Sequence, residues 1–366
     1  MFVSRVSYEN FRNFPSLDLT LDQGFVILTG ENGAGKTNFL EGIYFGAGLR
    51  RFPESKLPQL VREGEVFSKI KISSRNKEEQ NQELVVERKA QEEGGILKLK
   101  INSQPALRIS YTAILPVISF LPQDLSLLTR SPGGRRRFLN ETLSSSFPEY
   151  RLAQTHYQKA LKQRNELLAK IRNGDALREE LEIWDEKLAE TGSTITKFRE
   201  EFFSYCNQHL AEIMEEVSAD LLSSKLGFSP GGNSDRNEFL KLLRSSQVQD
   251  LRLANTMVGP HRDDFSVFLG RKEAVGYLSR GQMRSLTLAL KILERNYFEK
   301  HRKTIPIMLF DDVFSEFDSH HQRRLASFLA NFKQPFLTTT HPEEIKAFLP
   351  EIAQIFNVDK GKVSSV

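Results

Sequence analysis

Phe25-Val26-Ile27-Leu28-Thr29-Gly30-Glu31-Asn32-Gly33-Ala34-Gly35-Lys36-Thr37 is a short apolar run that empties into a glycine-rich octet. The run reads as a buried strand, and Phe39 to Phe45 behind the octet read as a helix. In that context Gly30 to Thr37 form a complete phosphate-binding P-loop. Glycines let the backbone curl until its N–H groups converge on di- or triphosphate oxygens, and the helix N-terminus adds partial positive charge. Lys36 is expected to reach the β and γ phosphates and Thr37 to ligate Mg²⁺. Glu31, Asn32, Gly33, Ala34, Gly35 and the adjoining Asn38 complete the expected nucleotide-contacting set. The bland alternative, an ordinary strand-to-helix turn, does not call for a lysine followed by a hydroxyl at the helix start.

Near the other end Ile307-Met308-Leu309-Phe310 runs straight into Asp311-Asp312. A buried parallel strand delivers carboxylates to its C-terminal edge in this way, giving a Walker B pattern. Asp311 is expected to hold Mg²⁺ and Asp312 to polarise the attacking water as general base. Leu278-Ser279-Arg280-Gly281-Gln282 precedes an amphipathic stretch carrying Met283, Leu286, Leu290, Ile292 and Leu293 on one face. It resembles the LSGGQ signature of ABC-type ATPases, with Arg280 in place of the first glycine. Ser279 and the Gly281 backbone at a helix N-terminus suit a γ-phosphate held by a partner's P-loop, which implies a dimer. A bare S-x-G-Q is otherwise a helix cap; its place about thirty residues before a Walker B strand favours the functional reading.

Three further segments resemble parts of the same machine. Ser315-Glu316-Phe317-Asp318 stands as the D-loop, with Asp318 at the nucleotide. Thr338-Thr339-Thr340-His341 carries the switch histidine, and His341 can hydrogen-bond a γ-phosphate. Phe120-Leu121-Pro122-Gln123-Asp124 resembles the Q-loop, placing Gln123 with Mg²⁺ and the attacking water.

The 366 residues exceed what one core usually holds, so two lobes are expected. With 51 basic and 47 acidic residues the net charge is only +4, and any nucleic-acid contact must come from a local patch. Cys206 is the one cysteine, so a disulfide within the chain and Cys₄ or Cys₂His₂ zinc sites are excluded; a reducing cytoplasm is the expected home. No run of eighteen apolar residues occurs, so no membrane-spanning helix is expected.

From Val3 to about Asn140 the chain reads as strand-rich, with strands at Val3 to Tyr8, Leu17 to Leu21, Lys69 to Ile72, Glu83 to Lys89 and Ile96 to Ile101, and turns at Gly94-Gly95 and Asn102-Ser103. From about Tyr150 to Ser223 it changes to long helices. Leu177, Leu181, Trp184, Leu188, Thr191, Ile195, Phe198 and Phe202 step by threes and fours, and Asn173-Gly174-Asp175 breaks the preceding helix. That pattern predicts an antiparallel helical hairpin, a short coiled coil of helices at most about 55 Å long. Pro230 to Ser234 close the insert, and Phe265 to Leu269, the Walker B strand and Phe336 to Thr339 return to sheet, with helices Gly281 to Lys300 and Ser319 to Phe332 between. The expected architecture is α/β: an ABC/SMC-like P-loop ATPase head with mixed sheets and an inserted helical subdomain. Its expected parts are 1–140, 141–255 for the arm, and 256–366.

The ordered set of motifs resembles the RecF family of bacterial DNA replication and repair, relatives of the SMC and ABC ATPases, essentially end to end. The carriers are Phe11-Arg12-Asn13; Gly35 to Glu41; Ser131-Pro132-Gly133-Gly134-Arg135-Arg136-Arg137-Phe138-Leu139; Tyr157, Ala160-Leu161 and Arg164-Asn165; Trp184-Asp185; Gly259-Pro260-His261-Arg262-Asp263-Asp264; and Asp311 to Asp318. The resemblance implies a weak ATPase that forms an ATP-dependent homodimer on duplex DNA, particularly near single-strand gaps, and works with RecO and RecR to help RecA load. Gln123 stands where the family often has Glu, and His341 where it often lacks histidine. Alternatives from other classes are an SMC-like chromosome-organising ATPase, for which this arm is short, and a transporter subunit, in which the signature lies much nearer the P-loop.

Two segments keep two readings each. Arg135 to Arg137 fall near a helix start marked by Ser131-Pro132, where the macrodipole opposes each cation by about 0.3–1 kcal/mol. Acidic neighbours or a phosphate must compensate. Gly259 to Asp264 reads as a hydrogen-bonded corner or as a metal cluster, the single His favouring the corner.

Overall fold

From Phe67 to Arg75 the residues follow an antiparallel strand's period of two, and buried residues alternate with less buried ones. The computed structural model describes residues 1–52, 55–75, 80–89, 97–314, 319–329, 332–343 and 353–366. Contacts divide them into two compact units, Met1–Asp124 with Lys303–Val366, and Leu125–Arg302.

The first unit opens with β1 (Phe2–Phe11), β2 (Phe14–Thr20) and β3 (Phe25–Thr29), followed by α1 (Lys36–Gly48). Then come β4 (Phe67–Arg75), β5 (Asn81–Lys89), β6 (Leu97–Ile101), β7 (Gln104–Pro105), α2 (Arg108–Ile114) and β8 (Val117–Phe120). The order β2-β1-β4-β5-β6-β7 makes one antiparallel sheet. Val6, Tyr8, Ile70, Ile72, Leu84 and Val86 are buried, and Gly42 of α1 lets a strand approach closely: a Cβ there would sit 2.3 Å from the Tyr8 ring. Each such buried apolar side chain contributes about 1.5–3 kcal/mol.

The second unit is built from α3 (Pro132–Ser146), α4 (Pro148–Asn173), α5 (Leu181–Val217), β9 (Ser224–Ser229), α6 (Arg236–Leu253), β10 (Asp264–Leu269), β11 (Lys272–Glu273) and α7 (Arg280–Arg302). The expected hairpin is present as α4 and α5, and Gly174 ends α4 in a left-handed conformation with φ of 87°. Leu181, Leu188, Ile195 and Phe202 are buried as the stripe requires. Leu177 is not: a 3₁₀ turn at Arg178–Glu180 separates it from α5, and it is 69% exposed. The hairpin is also not left as a pair, because α6 packs against both α4 and α5. Buried Arg164 of α4 ties the three together, Nε donating to Asp185 at 2.7 Å and Nη1 to Asp250 at 2.7 Å and Thr256 Oγ1 at 2.8 Å. The signature helix α7 packs with α5 and α3, so packing divides the chain at 124 and 302, whereas the sequence motifs divide it at 140 and 255.

The chain then returns to the first unit as β12 (Ile307–Phe310), α8 (Ser319–Leu329), β13 (Pro335–Thr339), β14 (Ala353–Asp359) and β15 (Lys362–Ser365). These join β3 and β8 in a sheet of order β15-β14-β3-β13-β12-β8, parallel except for β15. Buried on both faces, β3 and β12 are continuously apolar, as parallel strands under helices are. No described helix is long and apolar enough to cross a membrane.

Candidate nucleotide site

The strand order decides what meets at the sheet's C-terminal edge. β3 feeds the P-loop and β12 ends at Asp311, with β13 lying between them. The Thr338 hydroxyl at the end of β13 donates to Asp311 Oδ1 at 2.8 Å and accepts from the Asp312 backbone N–H at 2.8 Å. From the other side Thr37 Oγ1 donates to the Asp311 carboxylate, 3.0 Å from Oδ1 and 2.9 Å from Oδ2. Asp312 itself takes a left-handed φ of 46°, a strained choice for a non-glycine residue costing on the order of 1–2 kcal/mol. Burial pushes the Asp311 carboxyl above its ordinary pKa, and the Thr338 and Thr37 hydrogen bonds pull it partly back.

Lys36 is buried at the start of α1, and Nζ donates to Gly30 O at 2.7 Å and Glu31 O at 2.9 Å. Burial lowers its pKa, while Asp312 and Asp311 act in the opposite sense. Glu31, Asn32 and Gly33 are exposed at the loop's crest; Ala34 and Gly35 are buried beneath. Gly30 is required twice over: its φ is 143°, and a Cβ would lie 2.3 Å from Val358 O of β14.

The loop has a buttress that its own motif does not announce. At the β1–β2 turn, Asn13 Nδ2 donates to Ala34 O at 2.9 Å, and Asn38 Nδ2 donates to Asn13 Oδ1 at 2.8 Å. Arg12, in the same turn with φ of 53°, pairs with buried Glu41 of α1 at 2.6 Å. Asn38 thus spends a donor on the loop's support. Residues 11–13 drew notice in the sequence only as a family likeness; the hydrogen-bonding role of Asn13 had no local signal, nor did that of Thr338.

Gln123 lies just past β8, the strand paired with β12, and is half-buried. His341 is exposed beyond β13, its backbone N–H donating to Thr339 Oγ1 at 3.0 Å. Asp318 falls outside the described residues.

Ser279, Arg280, Gly281 and Gln282 belong to the second unit. Ser279 caps α7: its Oγ accepts from Gln282 N at 3.2 Å, while Gln282 Oε1 accepts from Ser279 N at 3.0 Å. This reciprocal box holds Ser279, Arg280 and Gly281 at an exposed helix N-terminus, and Gln282 Nε2 donates to Asp220 at 2.7 Å. The arginine run is compensated by carboxylates at Arg135 and Arg137 and meets a backbone carbonyl at Arg136. Arg135 pairs with Asp264 through two 2.6 Å bonds, Arg137 with Glu141 at 2.8 Å, and Arg136 donates to Asp263 O at 2.9 Å. Pro132 occupies the first turn of α3 as expected, but the Ser131 side chain makes no cap. In the Gly259–Asp264 corner, Asp263 accepts from Arg199 at 2.5 Å and from Gly231 N at 2.7 Å.

A hydroxyl and a carboxylate 2.9–3.0 Å apart beneath a P-loop are hard oxygen donors that suit Mg²⁺, and the exposed crest above suits phosphate. On this parallel sheet, with the signature box on a separate unit, they define a nucleotide-binding head of the ABC/SMC class. A solved Smc head domain from Pyrococcus furiosus shares the fold at a TM-score of 0.55 and 16% identity, over 100% of this chain and 96% of that one. The RecF/RecN/SMC N terminal domain family matches residues 2–364. The DNA replication and repair protein RecF of Clostridium tetani is 32% identical over 99% of both chains, and that of Bacillus cereus strain AH820 is 32% identical over 99% of this chain and 98% of its own. A solved structure of the recombination mediator protein RecF with ATP, in the RecFOR pathway, aligns at a TM-score of 0.87 and 27% identity, covering 100% of this chain and 97% of that one. The chain belongs to the RecF family.

Proposed function

We propose that this protein is an ATPase of recombinational DNA repair and replication, which ATP closes into a homodimer on duplex DNA beside single-strand gaps and hydrolysis releases. The knot of Thr37, Asp311, Thr338 and Asp312 beneath the P-loop is the observation that carries the reading. Gly30 to Asn38 hold the triphosphate, and Lys36 balances its β and γ charges. Thr37 and Asp311 hold Mg²⁺, with Gln123 beside them. Bound Mg²⁺ supplies charge neutralisation across the phosphates. Asp312, fixed through Thr338, orients and deprotonates the attacking water, and His341 hydrogen-bonds the γ-phosphate. The second copy contributes Ser279, Arg280, Gly281 and Gln282 across the nucleotide.

The relatives' own descriptions support the rest of the reading. Those proteins are named for DNA replication and repair, and the solved one for the RecFOR pathway. Partnership with RecR and RecO, assistance to RecA, and a cytoplasmic location follow for this chain as part of the proposal.

The test is Asp312→Asn. Nucleotide binding should persist, ATP-dependent retention on duplex DNA should lengthen, and steady-state hydrolysis should fall by about 10²-fold or more. Hydrolysis at the unsubstituted rate removes Asp312 as the base.

A further inference from the structure

Among the described residues three arginines are buried as deeply as core leucines: Arg88, Arg164 and Arg199. The fold supplies Arg164 with Asp185 and Asp250, and Arg199 with Asp263. Arg88 is treated differently. It is 2% exposed, its Nε and Nη1 meet no acceptor, and no carboxylate pairs with it among the described residues.

Its surroundings sharpen the point. Arg88 sits near the end of β5, on the same face as buried Leu84 and Val86, and directly across the ladder from buried Ser68 of β4. The charged group near it is a second guanidinium, that of Arg51 in the segment following α1, whose Nη1 donates to Ser55 O at 2.8 Å. Burial, and then the Arg51 charge, push the Arg88 pKa down. A desolvated cation with another cation near it costs free energy that an uncharged methionine would not. Among the described residues, carboxylates stand against the other two buried arginines and none stands against this one, which leaves it suited to an anion from outside.

We propose that Arg88 and Arg51, with the Ser68 hydroxyl, form a notch that binds a phosphate group. Guanidinium forks are matched in geometry to tetrahedral oxyanions, and one phosphate offers enough oxygens to accept from two arginines and a hydroxyl. The phosphate is either a link in a bound nucleic-acid strand or a free phosphate. The first source rests on the DNA-binding reading above; the second does not.

Arg88→Met keeps an unbranched side chain and removes its charge; Arg51→Gln is the companion variant. Duplex DNA affinity is measured for each from about 50 to 200 mM salt, since every phosphate contact adds about 0.9 to the log–log salt slope. A strand-borne phosphate predicts that both variants lose about 0.9 of slope while DNA-free ATP hydrolysis is unchanged. In a second arm, inorganic phosphate is compared with chloride at matched ionic strength by thermal melting. A free-phosphate site predicts a phosphate-specific rise in Tm for the unsubstituted protein that both variants lose, with the DNA slope intact. Unchanged slope together with no phosphate-specific stabilisation that the variants lose overturns the notch. If Arg88→Met does not fold, Arg51→Gln is read by the same two criteria. Failure of the unsubstituted protein to bind duplex DNA in any nucleotide state sinks the DNA reading, and the melting arm still decides the notch.

Discussion

His261 shows how one buried side chain makes stability depend on pH. Its Nδ1 lies 2.7 Å from the Tyr157 hydroxyl and its Nε2 2.9 Å from Thr256 O. A carbonyl only accepts, so Nε2 carries the proton and Nδ1 accepts from Tyr157. Burial holds its pKa at about 4, against 6.5 for the free group, and the charges of Arg262 and Arg136 add to the effect. With the folded pKa depressed, the unfolded chain takes up the proton first as the solution is acidified. The stabilisation is therefore complete above the free pKa and drains away as pH falls towards 4. Between pH 8 and 5 the loss should be about 2 kcal/mol, and His261→Gln should lack that part of the slope. Asp263 works in the opposite sense, because burial pushes its carboxyl up, so the comparison must be variant against unsubstituted protein in denaturant titrations at each pH. Parallel curves for the two proteins reject a neutral buried His261. The sequence had marked this corner with two readings, and its hydrogen bonds make it a structural joint.

At the scale of elements the corresponding joint is Arg164, which pins α4 to α5 and α6 through carboxylates that are 1% and 0% exposed. Arg164→Ala leaves those two charges buried together and should cost about 3–5 kcal/mol, read as a lowered denaturation midpoint with an unchanged denaturant slope. A cost below about 1 kcal/mol, the range of exposed pairs, refutes the buried-network account. The elements differ in how far the sequence disclosed them. α5 was legible because Leu181, Leu188, Ile195 and Phe202 keep one buried stripe over a long helix. α6 was not, since among its eighteen residues only Phe239, Leu243, Asp250 and Leu251 are buried, too narrow a stripe to stand out from a loop. Its start was marked in principle, with Asp235 accepting from Glu238 N at 2.9 Å. β15, Lys362–Ser365, carries no apolar alternation, and pairing with β14 alone makes it a strand. The strand-to-helix turn of Gly30 to Gly35 and the place of Asp311 at the end of β12 were legible because their pattern is local. Thr338 was visible only as one of three consecutive threonines, because its place depends on β13 lying between β3 and β12, an order that no local pattern encodes.

For the whole molecule the question is whether one copy can hydrolyse ATP. Lys36 and Ser279 belong to different compact units, and if Ser279 serves the P-loop of a second copy, defects in the two residues should complement each other in a mixed dimer. On that reading Lys36→Met should remove a copy's grip on phosphate but keep its signature box. Ser279→Arg blocks the signature box but keeps the P-loop, and because the cap contributes only about 1 kcal/mol the chain should remain folded. Each variant alone should be inactive, having no complete site in any dimer. Mixed one to one, only hybrids can dimerise, each with one intact composite site of two, so hydrolysis should return to as much as about half of the unsubstituted rate. Light scattering with ATP should show dimers for the unsubstituted protein and monomers for each variant alone. A mixture that stays inactive while hybrids form shows that the two residues do not share a nucleotide across the interface. Substantial activity from Ser279→Arg alone shows that a single copy completes its own site.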